Sequence, residues 1–387
     1  MEYRIAKGWQ IAAVVLALLF IAGGLALALS PFYADNMRNQ PALLIIIGLI
    51  MAGFASITWL DTIKTLLTID DTSITLQGAF GRRSLQLDDI KGYRTVKNYI
   101  YLLPKSGAKP IKISEYMGGL DEIKEWIQSK YADVDAVAIE EETEEILGNE
   151  EFGFTKEDRE ALLNKAKTTS RIANGTATGL TLWMLLYPHP YQLVWILVLI
   201  LPAVGLYILW HFKGLVTVND GTKSAYPSMQ LLFFTSGLIV TARAALDYDL
   251  YQYNKIWPFV IIITLILTAA VYRIAYTGQQ KNINKKPVIF GLMAIFACYG
   301  YGFSVFANCH FDNSNPQVFA VPVTDKHISN GKTTTYYLTA APWGRFNEPD
   351  DISVPKSLYE TVQKGDSIHI YLRDGKLGVP WFFVDKE

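Results

Sequence analysis

Five histidines and two cysteines are the residues of this 387-residue chain best equipped to hold a metal or attack a carbonyl. His189, His211, His310, His327 and His369 never fall at the i, i+4 spacing that sets two imidazoles on one helix face, so no zinc site is legible locally. Cys298 and Cys309 lie 11 residues apart. On one helix that is about 16 Å, beyond the reach of a disulfide, and the pair is not a C-x-x-C redox motif. The phosphate loop G-x-x-x-x-G-K-[ST], the nucleophile elbow G-x-S-x-G and the dinucleotide fingerprint G-x-G-x-x-G are also missing from the sequence. The sequence therefore names no catalytic residue, no cofactor and no metal.

Two charge groups remain as candidate sites. The first is the basic set Arg82, Arg83, Lys91, Arg94 and Lys97, and the second is Arg243, Asp247 and Asp249. What each could do depends on the elements that position it. Seven stretches, 9–32, 41–60, 172–187, 191–210, 224–242, 256–272 and 287–309, run without a charged side chain. As helices they are long enough, or nearly so, to cross about 30 Å of hydrocarbon. A composition of 51% hydrophobic residues, a mean hydropathy of +0.19 and a net charge of −1 average over these runs and the charged segments 61–171, 273–286 and 312–387. The first run exceeds a signal-peptide core of about 7 to 15 residues and leads into a second run, so we read it as a retained span. With no concentrated basic stripe, nothing points to nucleic acid.

Short-loop charges orient the chain. With a cytoplasmic N-terminus, the inner segments hold Arg4, Lys7, Lys165, Lys167, Arg171, Lys213, Lys223, Arg273, Lys281, Lys285 and Lys286, eleven in all, against Arg38, Arg243 and Lys255 outside. Seven spans then place the C-terminal tail outside. The run 172–187 is short, and with 191–210 it forms either a full hairpin or a re-entrant pair through Tyr187-Pro188-His189-Pro190; both return the chain to the same face. Trp9, Trp59, Trp210, Trp257 and Tyr276 are expected as interfacial anchors. Gly175 and Gly179 form a G-x-x-x-G pair, and Gly23, Gly24, Gly53, Gly291, Gly300 and Gly302 dot other spans, which predicts close helix packing within the chain. Pro202 with Gly205 predicts a packing kink.

The segment 61–135 reads as several short antiparallel strands closed by one helix. Alternation runs through T-L-L-T-I (65–69), S-I-T-L-Q (73–77), S-L-Q-L (84–87), Y-I-Y-L-L (99–103) and I-K-I-S (111–114). The period then changes, and Leu120, Ile123, Trp126, Ile127 and Tyr131 form a helical stripe. With D-D-T-S-I-T-L, G-R-R-S-L and L-D-D-I as local matches, this segment after a two-helix hairpin (1–60) resembles the bacterial pleckstrin-homology-like domains of membrane proteins. The resemblance covers about 75 residues and implies a domain for protein contacts or oligomerisation at the membrane face. Its basic residues could meet anionic head groups. Asp88 and Asp89 dilute that field, however, so the expectation from sequence is a set of solvated charges that bind no vesicle.

Residues 136–171 are expected to be an acidic linker and a helix. Ten carboxylates fall between Ile139 and Glu160, and Thr155 with Asp158 makes a capping box whose helix runs towards Arg171. The region 172–309 holds the last five spans, none with a charge near its middle, where an ion-coupled transporter would keep one. The tail 310–387 is β again: Q-V-F-A-V-P-V, T-T-T-Y-Y-L-T, D-S-I-H-I-Y-L and W-F-F-V are separated by Asn330-Gly331, Lys364-Gly365-Asp366 and Asp374-Gly375, with a short helix over 357–363. Most of its aromatics, Tyr336, Tyr337, Trp343, Trp381 and Phe382, are expected in the core, and His310 and Asp312 in structural or exposed roles.

The expectation is thus a polytopic, bacterial-type inner-membrane protein. It has seven transmembrane helices, a cytoplasmic pleckstrin-homology-like β-plus-helix domain and an extracytoplasmic all-β C-terminal domain. It reads as a non-enzymatic assembly or sensing protein, with the lipid bilayer and a protein partner or second copy as its contacts. The alternatives are a transporter or channel component and, behind it, a lipid-modifying membrane enzyme.

Overall fold

The computed structural model describes residues 1–33, 41–218, 223–275, 285–330 and 334–385, and the chain divides into two compact units, 1–144 and 145–387. Arg38, Tyr276, Lys281 and the glycine of the Asn330-Gly331 turn lie outside the described residues.

The first unit begins with a strand that alternation did not reveal, β1 (Glu2–Arg4). The apolar helices α1 (Lys7–Tyr33) and α2 (Pro41–Lys64) follow, and then β2 (Leu66–Ile69), β3 (Ser73–Gln77) and β4 (Arg82–Gln86). β1 pairs antiparallel with β2, Tyr3 opposite Leu67, in a four-stranded sheet of order β1-β2-β3-β4. The helical hairpin is therefore inserted between two paired strands. The two helices approach closely through small residues: a Cβ on Gly24 would lie 2.6 Å from the Gly48 carbonyl oxygen, a contact only glycine permits. Gly53 faces open space.

A second antiparallel sheet contains β5 (Ile90–Val96), β6 (Tyr99–Pro104) and β7 (Ile111–Ser114). α3 (Leu120–Lys130) closes the unit as its 3.6-residue stripe requires, burying Ile123 and Ile127 in one core with Tyr3, Ile5, Leu67, Ile74, Ile100, Leu102 and Ile111. The acidic stretch expected as a linker is instead a helix, α4 (Val134–Gly148). Glu, Ala and Leu favour helix, and that propensity overrides the charge density.

In the second unit, Thr155 and Asp158 exchange the reciprocal bonds of a capping box to open α5 (Lys156–Leu186). The stretch 172–187 is thus the end of one 31-residue helix that starts well before it. α6 (Tyr191–Leu199) and α7 (Leu201–His211) form one apolar span bent at Ile200, where Pro202, in the first turn of α7, has no N–H to continue the ladder. α8 (Gln230–Asp247) begins six residues later than the apolar run at Ser224 and carries Arg243 and Asp247 at its far end. α9 (Trp257–Ala275) and α10 (Lys285–His310) complete the bundle.

Among the described residues, five helices are long and apolar enough to cross a membrane: 7–33, 41–64, 191–211, 253–275 and 286–310. α5 and α8, which hold most of the other two expected runs, are not among them. α10 packs on α8 where Gly237 would set a Cβ 2.8 Å from the Ile295 carbonyl oxygen. Nothing lies within 4 Å of the Cβ positions of Gly175, Gly179 and Gly291, so those glycines serve no close packing among the described residues.

The tail folds as β9 (Gln317–Asn330), β10 (Thr334–Ala340), β11 (Asp350–Val354), the short α11 (Lys356–Thr361), β12 (Ser367–Arg373) and β13 (Trp381–Asp385). With β8 (Asp249–Leu250), these strands make an antiparallel six-stranded sheet of order β11-β10-β9-β12-β13-β8. Its core contains Val321, Leu338, Trp343, Ile352, Ile368, Ile370 and Phe382, with Tyr336 packed against it.

Candidate functional site

The five basic residues chosen from the sequence do not form one patch. Arg94 is committed: its Nε lies 2.6 Å from Asp135 Oδ1 in a partly buried ion pair. Lys97 sits at positive φ in the turn between β5 and β6, and Lys91 is exposed on β5. Arg82 and Arg83, on the edge strand β4, line a concave surface.

That surface is a groove of about 500 Å³ between three pieces of the fold. The end of α2 supplies Asp61, and Thr65 follows it directly. The β3–β4 hairpin supplies Phe80, Arg82 and Arg83, and β7 supplies Lys112. Asp61 Oδ1 accepts a 2.9 Å bond from Ala79 N, so the one carboxylate in the wall staples the hairpin to the helix end. Lys112 Nζ lies 3.6 Å from the ring centroid of Tyr99, a cation–π contact that holds the ammonium in place. Phe80 is 69% exposed.

Asp88 and Asp89, the reason to discount the cluster, do not line the groove. Asp89 instead accepts from Ser106 Oγ at 2.8 Å, and the Asp88 carbonyl accepts from Lys105 Nζ. Lys112 was missed because its outward position in I-K-I-S is legible but its proximity to Arg82 is not. That proximity depends on one sheet packing across the other.

The second unit brings part of the other candidate set together. Arg243 and Asp247, 16% and 18% exposed, pair at 2.7 Å across one turn of α8. Tyr191 Oη donates to Asp247 Oδ2 at 2.8 Å and lies 3.3 Å from Tyr248 Oη. Arg243 Nε is buried with no hydrogen-bond partner among the described residues. Asp249 does not join them: it lies in β8, paired with Phe382 at the edge of the sheet. The second expected site is therefore a pair with a tyrosine.

Beside it, Asn308 and Asp312 clamp the sheet to the last helix. Asn308, fully buried, donates from Nδ2 to the Val379 carbonyl at 2.7 Å and accepts at Oδ1 from Leu377 N (3.0 Å) and Val379 N (3.4 Å). Asp312 accepts from Trp381 Nε1 at 2.8 Å, Gly375 N at 3.0 Å and Ser314 N at 2.8 Å. Burial pushes the Asp312 carboxyl upward, but these donors outweigh it and hold the group below the ordinary carboxylate range. Gly375 has φ +79, and a Cβ there would collide with the Val379 carbonyl and the Asn308 side chain. Asp312 thus has the structural role expected of it, while the His310 ring stacks on Phe306.

Among the described residues no group of three or more His, Cys, Asp or Glu could hold a metal ion. Comparison with protein-family models, curated proteins and solved structures finds no match for this chain.

Proposed function

We propose that this chain is a multi-pass protein of the bacterial cytoplasmic membrane that acts by assembly or sensing, not by chemistry. In this reading it presents an interaction module on each face of the bilayer. The observation that carries the proposal is architectural: two separate β cores are each joined directly to apolar helices. In the first unit only Ile5 and Ala6 separate β1 from α1, and in the second Asn308 and Asp312 tie the sheet to α10. Rigid attachment of folded modules to spans suits a protein that transmits or organises contacts.

Seven strands in two sheets closed by a helix support the pleckstrin-homology-like reading of the first module. In the seven-span topology, α5 and α8 cross with the five apolar helices. The eleven-to-three Lys and Arg count then sets the N-terminus inside and the tail outside.

The test is chemical cross-linking of the full chain in native membranes, followed by purification and mass spectrometry. A defined homo-oligomer or a stoichiometric partner cross-linked through exposed module residues supports the proposal. A monomer with a bound small solute overturns it.

A second reading, transport or membrane-boundary catalysis, is favoured by the Arg243–Asp247–Tyr191 constellation, because ionised groups at low exposure are costly unless used. Loss of cellular function in Asp247→Asn at an unchanged membrane level would support it.

A further inference from the structure

We propose that the groove beside α2 is a binding site for the phosphate headgroup of an anionic membrane phospholipid. Three observations converge on it. The groove is a cavity, about 500 Å³, within the range of about 300–1,000 Å³ typical of small-molecule sites. Its charge comes from Arg82, Arg83 and Lys112 and is opposed by Asp61, whose Oδ1 is already engaged by Ala79 N. Guanidinium groups match a phosphodiester in shape as well as charge, since two N–H donors can meet two oxygens.

The third observation is depth. α2 needs about 20 residues to cross about 30 Å of hydrocarbon. From Pro41 that span ends at Leu60, and Asp61 and Thr65 follow at the level where headgroups lie. The groove is thus held at the membrane surface by a covalently continuous helix. A lipid phosphate is therefore present at high local concentration, as a free phosphate is not. Phe80, largely exposed on the tip of the hairpin, supplies the aromatic side chain typical of the interface.

The experiment uses the full chain in neutral detergent with short-chain phosphatidylglycerol, short-chain phosphatidylcholine as the zwitterionic control, and inorganic phosphate as competitor. Retained lipid is read by native mass spectrometry. The wild-type chain should retain phosphatidylglycerol in preference to phosphatidylcholine. Arg82→Ala with Arg83→Ala should weaken that retention about 30-fold, the share of two charges at about 1 kcal/mol each, and Lys112→Ala about 5-fold. Lys91→Ala with Lys97→Ala, basic residues outside the groove, should leave it unchanged, which separates the site from general surface charge.

Retention that is equal in wild type and the Arg82/Arg83 variant, or equal for the two lipids, overturns the proposal. So does displacement of the lipid by millimolar inorganic phosphate, because the site would then be one for the free anion. All five substituted side chains are exposed, so the variants are expected to fold. Monodisperse elution with an unchanged helical spectrum checks this.

Discussion

Replacing Asn308 with Ala should release the tail sheet from the last helix without unfolding either. The side chain makes three bonds to the segment 377–379; both Asn308 and Val379 are fully buried, so water cannot replace the partner lost to Val379, while Leu377 is half-buried. The truncation strands the amide and carbonyl of Val379 and frees the half-buried amide of Leu377. An unsatisfied buried group costs about 1–3 kcal/mol, and with partial relaxation the sum is about 3 kcal/mol. At about 1.4 kcal/mol per tenfold, amide hydrogen exchange of residues 375–379 should accelerate about 150-fold in the full chain. Amides of β10, at the other side of the sheet, should keep their protection. Exchange at 375–379 that rises less than about 3-fold would refute the claim that this side chain holds the joint, and equal acceleration through β10 would show that Asn308 stabilises the sheet itself.

Gly375→Ala should loosen the same turn, since its positive φ and the crowding against Asn308 both oppose a Cβ, and the same exchange measurement reads it. Acid should release the clamp in a defined direction. The Asp312 carboxyl is held below its ordinary value of 3.8, so its stabilisation is complete above that value and is lost as pH falls through the lower folded value. Exchange at 375–379, taken relative to the intrinsic amide rate at each pH, should rise over that interval in wild type and stay flat in Asp312→Asn. Gly48→Leu should overpack the α1–α2 crossing, where even a Cβ meets the Gly24 carbonyl and Ala28, and lower the thermal stability of the first unit by about 1–3 kcal/mol in a detergent melt.

The legible parts of this fold are those in which one local period governs. The stripe from Leu120 to Tyr131 gives α3, with Ile123 and Ile127 buried, and the Thr155–Asp158 capping box opens α5. Strands β1 and β8 escaped because they are three and two residues long, too short for alternation, and their partners are distant: Tyr3 pairs with Leu67, and Asp249 with Phe382. β11 escaped because D-D-I-S-V carries two acids that read as loop. The stretch 172–187 looked like a separate span because a charge-free run does not show where its helix starts; the helix begins at Lys156.

The sites follow the same rule. Arg243 and Asp247 are i, i+4 on one helix, and their pairing is local. The groove joins residues 61, 82, 83 and 112 through the packing of two sheets. Asp312 offered only its position beyond the last span as a signal, and Asn308, inside the end of that span, offered none.

One labelling experiment bears most directly on the proposal that the protein presents a module to each side of a bilayer. In a chain whose free cysteines, Cys298 and Cys309, are replaced by alanine, a single cysteine is placed at the exposed Lys97 or at the exposed Lys364. Intact cells with a permeabilised outer envelope are then treated with a membrane-impermeant maleimide. Lys364→Cys should react in intact cells, and Lys97→Cys only after the inner membrane is opened. Reaction of both in intact cells, or of neither, would place the two modules on one side and contradict the account.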